Sequence, residues 1–154
     1  MSKRKHYWLM KSEPGDFSID DLERVGTEPW TGVRNYQARN FMRQMKPGDG
    51  VLFYHSNTEV PGIYGLGEVA TEAYPDPTQF QPKSKYHDPK ASREEPRWFL
   101  VDVGFVRRLR RPVSLQEIRD HADALGDFEL IRRGSRLSVL PVSAAQWKLL
   151  LSLE

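Results

Sequence analysis

Between residues 98 and 109 the side chains sort cleanly by parity. Phe99, Val101, Val103 and Phe105 fall on one side, and Trp98, Leu100, Asp102 and Gly104 on the other. A strand places successive side chains on opposite faces, so this run specifies a long two-faced strand and a sheet that other elements must cover. Further β-rich runs at residues 6–11, 51–55, 62–70 and 136–142 supply its partners. Turn chemistry at Pro14-Gly15 and at Lys46-Pro47-Gly48-Asp49 separates them.

Helix signals stand between the strands. Ser18 and Asp21 are spaced as a capping box ahead of Ile19, Leu22 and Val25, and Asn35 is placed to cap a helix reaching about Met45, with Tyr36, Phe41, Met42 and Met45 as its apolar stripe. Ser114 and Glu117 open a third helix through about Ala124. Ser143 and Gln146 open a last one with Trp147, Leu150 and Leu151 inward. Strands with scattered helices and no βαβ rhythm indicate an α+β fold, a small mixed β-barrel, partly closed, with peripheral helices on its rim. The 154 residues read as one domain, 1–154.

The glycines of Gly62-Ile63-Tyr64-Gly65-Leu66-Gly67 lie inside a strand run, where they let another backbone approach; they are not read as a phosphate loop. With no cysteine and four well-separated histidines (His6, His55, His87, His121), neither a disulfide nor a metal site is expected, and no cofactor motif occurs. No apolar run reaches membrane-spanning length, which leads us to expect a soluble intracellular protein, cytoplasmic, or nuclear in a eukaryote.

Two segments carry the functional signal. Residues 30–40 combine Trp30, Arg34, Asn35, Tyr36 and Arg39, groups suited to stacking on a planar ligand, pairing with its polar edge and holding a phosphate. Residues 74–96 form a long irregular segment broken by Pro75, Pro77, Pro82, Pro89 and Pro96, yet carrying Tyr74, Phe80, Tyr86 and His87; such a loop is expected to fold over something. Net charge is only +2, so phosphate contacts must come from local groups: Lys3-Arg4-Lys5, Arg107 to Arg111, and Arg132, Arg133 and Arg136. Each basic run also has a plain reading as solvated surface. Glu68 and Asp76 are acid–base candidates only if they share a pocket.

The series Tyr7-Trp8-Leu9-Met10-Lys11-Ser12-Glu13-Pro14, then the segment from Trp30 to Asn40, then Phe53-Tyr54-His55-Ser56-Asn57, closely resembles the EVE domain of the PUA-like superfamily, which also holds the YTH domains. Tyr74-Pro75-Asp76-Pro77-Thr78-Gln79-Phe80, Pro96-Arg97-Trp98 and the run from Arg136 to Val142 extend the likeness over nearly the whole chain. The resemblance implies a barrel whose pocket accepts a modified nucleobase in DNA or RNA.

By order along the chain, Trp30 is similar to the first cage Trp of the YTH domains, Ser12 follows the first strand, and Asn57 ends the central one, with Asn35 as the other amide. The loop offers Tyr74, Phe80 and Tyr86 in place of a second cage Trp. Tyr54 and Ser56 share a strand face by parity. Arg34, Arg39 and Arg136 are the expected phosphate contacts. A non-enzymatic binding module is thus the leading expectation, with nucleic acid carrying modified bases as partner. The alternative is an amidohydrolase like the ASCH domains, using Lys11, Glu68 or Asp76 on a modified nucleoside.

Overall fold

The computed structural model describes residues 5–154. Lys3 and Arg4 of the first basic cluster lie outside the described residues. Strand β1 (Tyr7–Ser12) buries Trp8, Leu9 and Met10 and runs parallel to β3 (Gly50–His55), with Leu9 opposite Leu52. On the other side of β1 lies antiparallel β8 (Val139–Val142). Strand β4 (Gly62–Val69) continues antiparallel to β3, and β7 (Asp102–Ser114) antiparallel to β4; β2 (Thr27–Pro29) closes the far edge. The order is β2-β7-β4-β3-β1-β8. Register shifts in β3–β4 and β4–β7 curl this mixed sheet into a half-barrel, because a bulge bends its strand and increases local twist. The expected α+β barrel with peripheral helices is the observed architecture.

The glycine-rich β4 works as a close-approach strand: a Cβ at Gly67 would sit 2.7 Å from the Gly104 carbonyl oxygen of β7. Beside the large sheet, β5 (Tyr74–Pro75) and β6 (Phe99–Leu100) form a separate two-stranded ribbon. The single strand expected over 98–109 is therefore two. Leu100 pairs with Tyr74, whereas Asp102 onward pairs with β2 and β4, and Val101 is the buried pivot between the two sets of partners. Burial on both sides at the pivot overrides the simple alternation, and β7 runs on to Ser114.

Helices α1 (Ile19–Val25), α2 (Tyr36–Gln44), α3 (Leu115–Asp120), α4 (Ala122–Leu125) and α5 (Ala144–Ser152) cover the sheet. The capping boxes at Ser18, Ser114 and Ser143 all form, and the Asn35 side chain accepts the Ala38 N–H at 2.9 Å. The helix expected through Ala124 is interrupted at His121, whose ring nitrogen lies 2.8 Å from the Glu117 carbonyl, a local bond that competes with the helical ladder. Two residues placed on apolar stripes are exposed instead: Val25, and Tyr36, which stacks on Trp98 at 4.9 Å. The last strand starts at Val139, not Arg136, because its pairing with β1 ends at Met10. The short β2 has Pro29 on the outermost strand, where a missing N–H leaves no ladder bond unmade.

The core joins both layers. Leu9, Leu52, Phe53, Ile63 and Val113 of the sheet are fully covered, as are Leu22, Met42 and Ile118 of the helices. None of the described helices is long and apolar enough to cross a membrane.

Candidate functional site

A cavity of about 390 Å³ opens where the end of β1 meets the segment that follows β2. Pro29, Trp30, Thr31, Gly32, Val33 and Arg34 form one wall; Lys11, Ser12, Glu13, Asp16 and Phe17 form another; Glu28, Tyr86 and Ser138 complete the lining. Its size falls within the range of about 300–1,000 Å³ that small-ligand sites occupy.

Trp30 is rigidly held. Its N–H donates to the Val101 carbonyl at 3.0 Å, and its indole meets Phe53 edge-on at 5.5 Å and 80°. Only 8% of the residue is exposed, so the ring stands as a preformed wall with its remaining surface toward the cavity. Beyond it the chain turns through Gly32 at φ 88, a left-handed conformation that favours glycine. Glycine is needed there for a second reason: a Cβ would lie 2.5 Å from the Tyr86 ring, which packs directly over the backbone.

The long loop is anchored by two fully buried polar residues. Gln79 accepts the N–H groups of Arg97 and Trp98 and donates to the carbonyls of Asp76 and Trp98. Asp76 accepts the Gly32 N–H at 2.8 Å and an Arg34 N–H at 3.2 Å on one oxygen, and the Thr78 N–H and hydroxyl on the other. Burying these groups is tolerable because each polar atom is partnered. The result presents Tyr86 to the cavity.

Arg34 seals the junction. Its guanidinium has five N–H donors, and it makes five hydrogen bonds: two to the Tyr86 carbonyl and one each to the Val33 carbonyl, Asp76 and Thr78. The expected phosphate role of Arg34 is therefore corrected: no donor is left for a phosphate, and the residue braces the cavity wall. Asn35 is likewise committed to capping α2 and does not line the cavity.

The polar lining is mixed. Ser12 donates its hydroxyl hydrogen to the Phe17 carbonyl at 2.5 Å, leaving lone pairs free to accept. Lys11 is partly buried, and desolvation holds its ammonium pKa below the ordinary lysine value despite the opposing pull of Glu129. Glu28 is also partly buried; desolvation, then the charge of Asp102, pushes its carboxyl up, and it makes no hydrogen bond within the described protein. Beside the rings of Phe17, Trp30 and Tyr86 the cavity thus offers an ammonium donor, a hydroxyl acceptor and carboxylate acceptors, a set matched to a planar ligand with both donors and acceptors on its edge.

Of the residues expected at the site, Ser12, Trp30, Arg34 and Tyr86 meet there, and Asn35, Tyr54, Ser56, Asn57, Tyr74 and Phe80 do not line it. Tyr54 is buried behind it, with the Lys11 ammonium 5.8 Å from its ring and burial pushing its phenol up to about 12. Ser56 donates its N–H to the Ser12 carbonyl, and Asn57, at φ 51, donates to Glu13 at 2.7 Å, so both support lining residues. Tyr74 donates to Asp102 at 2.5 Å, and Phe80 lies under the Arg93 guanidinium. Arg39 and Arg136 stand outside the lining.

The acid–base trio does not converge. Lys11 lines the cavity, Glu68 points outward from β4, and Asp76 is saturated beneath Gly32. Glu28 and Ser138 were not expected, and neither were Glu13, Asp16 and Phe17. Glu28 precedes Trp30 by two residues in an extended segment, a same-side spacing that could have flagged it. Nothing local marks Ser138, which reaches the cavity because its carbonyl accepts the Lys11 N–H at 2.8 Å.

Four arginines of the two later basic clusters are compensated internally. Arg107 bonds Glu154, Arg108 bonds Asp20 and Glu23, Arg111 bonds Glu117, and Arg132 bonds Asp127 and Glu129. These four cations already face carboxylates, which weakens them as phosphate contacts.

Residues 6–153 match the EVE domain. Mouse (Mus musculus) thymocyte nuclear protein 1 is 44% identical over 97% of this chain and 74% of its own length. Among solved structures, a protein from Pseudomonas syringae superposes with a TM-score of 0.92 at 50% identity, covering 96% of this chain and 98% of that one. Human THYN1 protein, in complex with 5-methylcytosine containing DNA, superposes with a TM-score of 0.92 at 41% identity and 97% coverage of both chains.

Proposed function

The chain belongs to the EVE domain family, and on that premise we propose that it binds a modified nucleobase of DNA or RNA, extruded from its strand, in the cavity between Trp30 and Tyr86. The observation that carries this reading is the preformed aromatic wall at Trp30, with an unpartnered carboxylate and a hydroxyl acceptor beside it. The 41% identical human protein in complex with 5-methylcytosine containing DNA supports it, and makes a methylated cytosine the first ligand to try.

Magnitudes set the design of such a site. Stacking contributes about 1–3 kcal/mol per base, whereas extruding a paired base costs a few kcal/mol. The two nearly cancel, so phosphate contacts must supply the net affinity, and binding should weaken steeply with salt. One methyl group in an apolar pocket is worth about 1–3 kcal/mol, which bounds discrimination between modified and plain bases near 10- to 200-fold. An intracellular setting, cytoplasmic or nuclear, follows from that ligand.

The test is a titration of matched oligonucleotides, with and without 5-methylcytosine, against the wild type and Trp30→Leu. The wild type should prefer the modified strand, and Trp30→Leu should bind both strands equally. A preference that survives Trp30→Leu would contradict the reading.

A further inference from the structure

The cavity wall continues outward as an unbroken series of rings and cations. The Arg34 guanidinium carbon lies 5.5 Å from the Tyr86 ring and 5.4 Å from the Trp98 ring; Trp98 stacks on Tyr36 at 4.9 Å; and the Arg39 guanidinium sits 4.8 Å from Tyr36. Four residues along the helix, Arg43 lies over Phe99 at 4.6 Å. Tyr36, Arg39, Asn40 and Arg43 share one stripe of α2 by their spacing, opposite the buried Ala38 and Met42. This stripe starts where the cavity lining ends.

Its cations differ from the ion-paired arginines of β7 and of the turn at Asp127. Arg107, Arg108, Arg111 and Arg132 each bond carboxylates, whereas Arg39 spends three N–H groups on the Arg97 carbonyl and the Asn40 amide oxygen, and Arg43 makes no hydrogen bond within the described protein. Both meet an aromatic ring and no carboxylate. A guanidinium held over a ring has less rotamer freedom to lose when it contacts a phosphate, and it keeps its full charge.

We infer that the outward face of α2, through Arg39 and Arg43, binds the phosphate backbone of the strand whose base enters the cavity. This rests on the base-binding reading above and adds the path of the flanking nucleotides. The charge that a strand requires is free at Arg39 and Arg43, whereas carboxylates neutralise Arg107, Arg108, Arg111 and Arg132. The stack from Tyr86 to Arg39 makes cavity and track one rigid surface.

The experiment measures affinity for modified and plain oligonucleotides across a salt series. Variants are Arg39→Gln/Arg43→Gln and, as a charge-matched control, Arg107→Gln/Arg108→Gln. The α2 variant should make log Kd less dependent on log salt by about 1 to 2 units of slope, with equal loss on both oligonucleotides. The control should keep the wild-type slope. Arg43→Gln alone, which removes no intramolecular hydrogen bond, should shift the slope by about half as much if the double variant is poorly folded. An unchanged slope, an equal change in the control, or displacement of the oligonucleotide by a poly-glutamate peptide of equal charge would overturn the assignment. Should the α2 variants flatten the slope while modified and plain strands are never distinguished, the track stands and the base-reading proposal falls. Should Trp30→Leu erase discrimination while the α2 slope stays intact, the reverse holds.

Discussion

Arg34 donates two hydrogen bonds, of 3.1 and 2.7 Å, to the carbonyl of Tyr86, 52 residues further along the chain. That contact fastens the long loop to the segment after Trp30. Its companion bond to the fully buried Asp76 makes it a shielded charge pair, and removing one member of such a pair is costly because the other charge is left in a poor environment.

Arg34→Met should therefore destabilise the protein by about 3 kcal/mol, since Asp76 loses its charge partner and nothing replaces the planar fork that reaches four partners at once. Urea denaturation reads the loss. Ligand affinity should fall in the variant without any change in its salt dependence, because the residue has no donor for a phosphate.

Gly32→Ala meets two penalties, the left-handed φ of 88 and the 2.5 Å approach of Tyr86. The expected cost is about 1–3 kcal/mol, read as a lower Tm. Pairing it with Tyr86→Ala should cost less than the sum of the two single changes, since the clash disappears and only the backbone strain remains. Simple additivity would show that the ring does not rest on Gly32.

His55 tests the coupling between the sheet and α1. Its Nε2 accepts the Ile19 N–H at 3.1 Å, its ring stacks on Tyr64 at 4.1 Å, and burial, partly opposed by Asp20, holds its pKa below 6.5. A folded-state pKa below the unfolded one means that the unfolded chain takes the proton first. Stability is full above about pH 6.5 and declines as pH falls toward the folded value, where it levels. His55→Gln can keep an acceptor but cannot titrate, so the decline in urea midpoint over that window should shrink. An identical pH profile in the variant would assign the titration to another group.

Fold class was legible because capping boxes and β-rich runs are local signals: Ser18 with Asp21 and Ser143 with Gln146 name their helices in a handful of residues. Pairing is not local. Nothing between residues 98 and 109 says that Leu100 faces Tyr74 while Val103 faces Glu28, so the break at Val101 is invisible in the alternation. The site divides in the same way. Trp30 and Ser12 could be named from position, but whether Asn35 reads a ligand or caps a helix depends on where the side chain turns, and it turns to Ala38. Arg34 has the composition of a phosphate ligand and the bonding of a structural brace. The difference lies in Asp76 and Tyr86, which only the folded loop brings to it.

The central claim places a modified base inside the cavity, against Trp30. Its most direct measurement is a crystal structure of the protein bound to an oligonucleotide containing one 5-methylcytosine. The account predicts the methylated base out of its stack, within van der Waals contact of Trp30 and Tyr86, with flanking phosphates along α2. A base still paired in its helix, with the cavity empty and the oligonucleotide held elsewhere on the protein, would contradict it.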